Sequence, residues 1–346
     1  MISITGSLYS PENNKANKML IKPFNNTIVT LNEEKITEEI IKRLNLNLDN
    51  IINTFNKYKN ELWRYRLNIS TRNSQLQQVS EIINDILQYL NDGMNFLIKH
   101  IEERFNILQI KYSNTVVSIY TENFVFREQK LRKGSILKVS FRGFGGVDLS
   151  VPELFNDSEI IPIRYGFAHS DEGRIKCYPY MASTQPWQWL IWSLLYPGSI
   201  HITLQSINLN KTNITLTMRL HTTQYCSLKD AVLNTNDEKT ILLTLFGGIL
   251  GDGTVKKIEK EKAIYLVAKS KRKWWVSVLK ELNGWKEEGD TIVFRGNAAI
   301  LTKRIIEAIP PLMKDLLDIL SFEKWQRLKR LAAEAEINSL TDNHSP

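Results

Sequence analysis

Three glycines and one aspartate at the end of a predicted helix are the residues of this chain best placed to do chemistry. Gly251 follows Gly247 by four residues and Gly248 by three, so all three share one face of the helix. A glycine inside a helix costs about 1 kcal/mol relative to alanine, and close contact with a second helix is the usual reason to keep several. Asp252 stands at the helix C-terminus, where the dipole disfavours an anion. A bound cation would relieve this, and carboxylates suit magnesium, so Asp252 is a candidate Mg²⁺ ligand.

This stretch resembles the signature helix of the LAGLIDADG family of DNA-cleaving homing endonucleases. Leu245, Gly247 and Ile249 match the first, third and fifth places of the motif, and Asp252 and Gly253 match the last two. In that family two such helices pack together, and their terminal acids hold divalent metals that activate water against DNA phosphates. The resemblance implies a Mg²⁺-dependent DNA endonuclease that hydrolyses phosphodiester bonds. Asp252 would be its metal ligand and catalytic residue, and the three glycines its helix interface. The alternative is that Gly-Asp-Gly is an ordinary turn.

The elements predicted after Asp252 fit that resemblance over residues 238–335. A strand is predicted to start at Thr254 and Val255, directly after the motif. β-Branched and aromatic content predicts a second strand at 263–268, and a third follows at 291–294. Apolar spacing predicts a helix opening at Lys271 and a last helix over 297–309. The resulting order, αββαβα, is close to one half of a LAGLIDADG core.

Positive charge is concentrated directly after the motif, with eight Lys or Arg and two Glu between Val255 and Lys273. In the resembled family the following sheet lies in the DNA major groove, which admits a β-ribbon. Lys269 stands where the family carries a polar residue that organises water near the scissile phosphate, so the resemblance implies a catalytic role. Phosphate contacts are expected from the remaining cations. These are Lys256, Lys257, Lys260, Lys262, Lys271, Arg272 and Lys273. The alternative is a solvated lysine-rich surface.

A nuclease of this family needs a second acidic helix end, from the same chain or from a homodimer. Residues 190–198 are a candidate degenerate copy, because they have the same length, end in glycine and precede two predicted strands. Trp192 and Pro197 replace the packing glycine and the acid there, and the alternative is a buried amphipathic helix. Residues 169–173, a histidine followed by Ser-Asp-Glu-Gly, are interpreted as a loop because serine, aspartate and glycine favour turns.

The N-terminal region has apolar residues at helical spacing over 40–69 and again over 76–108. A period near 3.5 sustained this long favours a coiled coil. The polar stretch 68–75 leaves two alternatives, a helical hairpin or one continuous rod. These helices either mediate a homodimer, which would supply a second Asp252, or pack onto their own chain. Residues 111–145 switch to strand patterning with scattered Lys and Arg, either a second nucleic-acid-facing hairpin or the polar side of a half-buried sheet.

Composition sets the remaining expectations. The net charge of +8 and the pI of 9.2 favour an acidic partner such as double-stranded DNA. The two cysteines argue against a disulfide framework, and no signal peptide or transmembrane run is seen, so a cytoplasmic protein without a membrane partner is expected.

We predict an α+β fold with a helical region at 1–110 and a mixed β-rich domain at 111–235, the latter holding the candidate degenerate half. A LAGLIDADG-like domain with a polar tail would occupy 236–346. The alternative function is a non-cleaving DNA-binding or regulatory protein of the same fold.

Overall fold

The computed structural model is an α+β fold in which an N-terminal layer of helices covers one face of a nine-stranded sheet. It describes residues 20–21, 29–30, 33–101, 107–113, 115–131, 134–210, 213–256 and 261–342. The first elements are a short antiparallel pair of strands and three helices. They are β1 (Leu20–Ile21), β2 (Val29–Thr30), α1 (Glu33–Asn45), α2 (Leu48–Arg72) and α3 (Gln77–Ile101).

The long helical region reverses direction within the polar stretch. Asn73 ends α2 in an extended conformation, and its side chain accepts a hydrogen bond from the backbone N–H of Gln75 (2.9 Å) in a short 3-10 turn. α2 and α3 then pack against each other and against the sheet. Tyr58 of α2 also stacks on Trp189, a residue of a later helix, with ring centroids 5.5 Å apart. The helical pair therefore packs onto its own chain.

Two units with the same order of elements follow in the chain, and each reads helix, strand, strand, helix, strand, strand. Unit A (residues 157–221) consists of α4 (Asp157–Ala168), β8 (Gly173–Ile175), β9 (Tyr178–Ser183), α5 (Pro186–Leu194), β10 (Gly198–Leu209) and β11 (Ile214–His221). Unit B (residues 238–308) consists of α6 (Glu238–Leu250), β12 (Gly253–Val255), β13 (Ile264–Val267), α7 (Arg272–Leu279), β14 (Trp285–Glu288), β15 (Thr291–Phe294) and a closing helix α8 (Ala298–Ala308).

The strand order is also the same in the two units. Within each, the first strand pairs with the second, the second with the fourth and the fourth with the third, all antiparallel. Unit B is therefore αββαββα, with one strand more than the predicted αββαβα. The extra strand, β14, is short and mostly charged (Trp-Lys-Glu-Glu), so its sequence lacks the apolar alternation that marks a half-buried strand.

The sheet of unit A is longer than that of unit B because an N-terminal meander extends it. β3 (Gln109–Tyr112), β4 (Val116–Tyr120), β5 (Phe124–Leu131) and β6 (Gly134–Phe141) add to the edge of β10, and β7 (Val147–Val151) pairs with the other end of β10. Two helices, α9 (Pro311–Leu320) and α10 (Glu323–Asp342), complete the described chain. None of the helices in the described ranges is long and apolar enough to cross a bilayer.

Candidate functional site

The first helices of the two units, α4 and α6, pack directly against each other through glycines. A Cβ atom added to Gly247 of α6 would overlap the carbonyl oxygen of Ile163 in α4. A Cβ atom added to Gly166 of α4 would overlap the carbonyl oxygen of Thr244 in α6. Gly166 and Ile163 lie five and eight residues before Asp171, as Gly247 and Thr244 do before Asp252. The contact is thus reciprocal, which is the pattern of a two-fold interface.

The second helices of the units repeat this reciprocity at the C-terminal ends of α4 and α6. Gln188 of α5, in unit A, donates its side-chain N–H to the carbonyl oxygen of Leu250 in unit B (3.3 Å). Trp275 of α7, in unit B, donates its indole N–H to the carbonyl oxygen of His169 in unit A (3.2 Å). Leu250 and His169 each stand two residues before the terminal aspartate of their helix. Each unit therefore satisfies an orphan carbonyl at the end of the other unit's helix.

The two helix ends bring Asp171 and Asp252 together, close enough for the Asp171 carboxyl group to raise the pKa of Asp252. The second acid thus comes from the same chain. The candidate copy at residues 190–198 was wrong, because α5, which covers most of that segment, fills the second-helix position of unit A. Residues 169–173 do form a turn, as interpreted, but that turn carries the partner of Asp252.

The other glycines of the motif contact different neighbours. A Cβ atom on Gly251 would overlap the Ser170 hydroxyl, so Gly251 permits the close approach of the two helix ends. A Cβ atom on Gly248 would overlap the indole of Trp275, so Gly248 mainly makes room for α7 of its own unit. Gly247 and Gly251 are therefore the glycines of α6 whose missing side chains face unit A.

The pKa of Asp252 is raised from 3.8 to about 6. Loss of hydration is the largest cause, and the hydrogen bond and the negative charge of Asp171 add to it. Lys269 and Lys324 oppose the shift through their positive charge. Lys269, the predicted catalytic lysine, therefore does lie near Asp252. It is exposed, in a 3-10 turn, with φ of 33°, and its backbone N–H donates to Asp290 (3.1 Å).

Lys324 of α10 is a functional candidate that the sequence reading missed. Its ammonium group donates to three carbonyl oxygens at the end of α6, those of Ile249 (2.8 Å), Leu250 (3.0 Å) and Gly251 (2.8 Å). An ammonium has three donors, so all of them are used. Burial lowers the pKa of Lys324 to about 8, and the charges of Asp171 and Asp252 oppose that shift.

The donor set at the acid pair fits Mg²⁺ only in part. Two adjacent carboxylates are suitable ligands for a hard divalent cation. However, the Lys324 ammonium already holds the Gly251 carbonyl next to Asp252 and compensates the negative charge of the pair. A second cation at the same place would be repelled by it. Within the described ranges, no group of three or more His, Cys, Asp or Glu side chains is arranged to hold a metal.

Most of the basic residues predicted to contact DNA in unit B have partners within the chain. Lys256 lies over the ring of Tyr265 at 4.9 Å. Lys262 forms an ion pair with Glu334 (2.5 Å), and Arg272 forms one with Glu287 (3.2 Å). Lys271 donates to the backbone of Lys229 (3.5 Å), and Lys273 is exposed. Lys257 and Lys260 lie outside the described residues.

Comparison with solved structures finds distant likenesses. The chain is similar to the N-terminal LAGLIDADG domain of DUF199/WhiA, with 14% identity and a TM-score of 0.33 over 47% of this chain and 89% of that one. It is also similar to full-length DUF199/WhiA from Thermatoga maritima, with 14% identity and a TM-score of 0.31 over 54% of this chain and 67% of that one. No protein-family model and no curated protein sequence matches the chain.

Replacing Asp171 with asparagine is expected to lower the pKa of Asp252 from about 6. The substitution removes the neighbouring negative charge, while the loss of hydration remains, so the pKa should stay above the ordinary 3.8. Carboxyl-carbon NMR titration of protein labelled at aspartate would measure the shift. A control, Asp157→Asn at the far end of α4, should leave the titration of Asp252 unchanged. An unchanged pKa in Asp171→Asn would show that the two carboxyl groups are not adjacent.

Proposed function

We propose that this protein binds double-stranded DNA as a LAGLIDADG-like module that does not cleave it. The observation that carries the proposal is the reciprocal packing of α4 and α6, which sets two αββαββ units about a common pair of helix ends. This is the arrangement that the LAGLIDADG resemblance implies, and such sheets bind in the DNA major groove in that family. The net charge of +8 favours the same polyanionic partner.

The proposal of binding without cleavage rests on Lys324. A metal-dependent nuclease needs its acids free to hold divalent cations next to the phosphate. Here a cation that acts on both acids, Lys324, is part of the protein, and three hydrogen bonds fix it in place. The acids and the ammonium together stabilise the ends of α4 and α6, which accounts for keeping an acid in both motifs without catalysis.

A metal-dependent endonuclease is the second candidate function, and the Asp171–Asp252 pair is the observation that favours it. Two carboxylates meeting at paired helix ends are what the LAGLIDADG resemblance requires of an active enzyme. In that case the two aspartates would hold the metal, which would supply an activated water, and Lys269 would lie on the phosphate side. The binding surface is the same under both candidates, so only cleavage separates them.

DNA binding and nicking by the full chain distinguish the two functions. We expect binding to mixed-sequence plasmid DNA that weakens steeply with salt, and no nicking with Mg²⁺ or with a chelator. Mg²⁺-dependent nicking that is lost in both Asp171→Asn and Asp252→Asn would establish the nuclease instead. Those variants should leave nonspecific affinity unchanged under either candidate. Absence of salt-dependent binding in the unmodified protein would overturn both.

A further inference from the structure

The meander β3–β6 adds a basic row to the face of the sheet that the N-terminal helices leave open. Cross-strand neighbours from six strands line up in this row. Its members are Lys111, Ser118, Arg127, Lys138, Asn208 and Thr215. The first four belong to the meander and the last two to the sheet of unit A. All six are polar and three are cations, so the row joins the meander to unit A as one polar surface.

Alternation along the strands directs the apolar residues and the acid to the opposite, helix-covered face. Phe126 and Val139, which flank the row on β5 and β6, are buried. Glu128, next after Arg127, pairs with Arg43 of α1 (3.0 Å). Glu128 therefore neutralises Arg43 of α1 and not a cation of the row.

Arg127 and Lys138 are directly opposite each other, and among the described residues neither has an acidic partner. Like charges in directly opposed positions destabilise a sheet. Burial is the larger cause that lowers the pKa of Lys138, and the Arg127 guanidinium is the second. The Arg127 side chain donates to the Ser118 hydroxyl (3.3 Å), and Lys111 lies over the Tyr120 ring at 5.1 Å. The cations of unit B differ from those of the row, because Lys262 and Arg272 form ion pairs with acids.

We infer that this row is a second DNA-backbone contact, which extends the bound duplex beyond the two units along the meander. The inference rests on the proposed DNA binding. The row from Lys111 to Lys138 crosses three strand spacings, about 14 Å. Duplex DNA carries about eight charges over that length of helix axis. Asn208 and Thr215 beside the cations are further candidate phosphate donors, whereas Ser118 is buried beneath them, so the row fits a backbone and not a particular base sequence.

The test compares two variants that lose the same net charge. Arg127→Gln with Lys138→Gln removes the opposed cations, and Lys42→Gln with Lys57→Gln removes two exposed cations from α1 and α2. Equilibrium binding to a mixed-sequence duplex of about four helical turns is measured across a salt series. The row variant is expected to reduce the slope of log affinity against log salt by about two, since each phosphate contact contributes about 0.9. The helix variant should change it little.

Each other outcome has a definite meaning. Equal changes of the salt slope in both variants would assign the effect to net charge and overturn the inference. An unchanged slope in the row variant would also overturn it, provided that the unmodified chain binds DNA. If the unmodified chain does not bind DNA, the proposed function fails first. Because the substitution relieves a like-charge pair, the row variant should melt no lower than the unmodified protein, and thermal unfolding checks this.

Discussion

Replacing Gly247 with alanine is expected to reduce the free energy of unfolding by about 3 kcal/mol, because the new methyl group must push α6 away from the Ile163 backbone. In an isolated helix the same substitution would stabilise the helix by about 1 kcal/mol, so a loss of stability would indicate that Gly247 contacts α4. Urea denaturation followed by circular dichroism would measure the change. Gly166→Ala should lose a similar amount, because its methyl group meets the Thr244 carbonyl in the reciprocal contact.

The double variant and a matched glycine sharpen this expectation. Once one methyl group has separated the helices, the second has room, so Gly166→Ala with Gly247→Ala should lose less than the sum of the two. Gly145 has no atom within 4 Å of an added Cβ, so Gly145→Ala should change stability by less than about 0.5 kcal/mol. Additive losses, or a loss at Gly145 as large as at Gly247, would contradict direct contact between α4 and α6.

Replacing Lys324 with methionine is expected to cost about 2 kcal/mol of unfolding free energy. Methionine keeps the apolar stem but leaves the Ile249 and Gly251 carbonyls without the Lys324 donor, while Gln188 still donates to Leu250. It also removes a positive charge that acts on both carboxylates. Asp252→Asn should recover part of the loss by removing one of the uncompensated charges. A double-mutant cycle would give a coupling energy of about 1 kcal/mol between the two positions.

Lys329→Met is the control on the same helix. Lys329 pairs with Asp318 at 2.7 Å in a partly exposed position, so its loss should lie within about 0.5 kcal/mol. Equal losses at Lys324 and Lys329 would mean that Lys324 is an ordinary surface lysine. Binding without cleavage would then have no structural support, and the endonuclease would become the better candidate.

The sequence predicted unit B far better than unit A, and the reason lies in the two motif helices. α6 has a glycine pair, a uniform apolar stretch and an isolated terminal acid, which together make the motif recognisable in the sequence. α4 has Pro162 within it, a residue that removes a backbone donor and argues against a helix. It also has one glycine where α6 has two. The glycine-to-aspartate spacing of five residues, shared by Gly166–Asp171 and Gly247–Asp252, was the signal that could have identified it.

Sequence patterns could not predict Lys324 or the basic row, for a different reason. Lys324 lies more than seventy residues from the carbonyls it binds, and nothing local marks one lysine of α10 as different from its neighbours. The row consists of single residues from six strands, and only strand register brings them into line. Periodicity correctly indicated strands over most of the meander, but it could not order them.

The unequal lengths of the two sheets bear on the kind of DNA sequence this surface would fit. A homodimer presents identical halves, and its operators are correspondingly palindromic. Here the sheet of unit A continues into four meander strands, while that of unit B ends at β14. One chain carries both units, so the two ends of a bound site would meet different side chains. The protected DNA is therefore expected to extend further on the side of unit A than on the side of unit B.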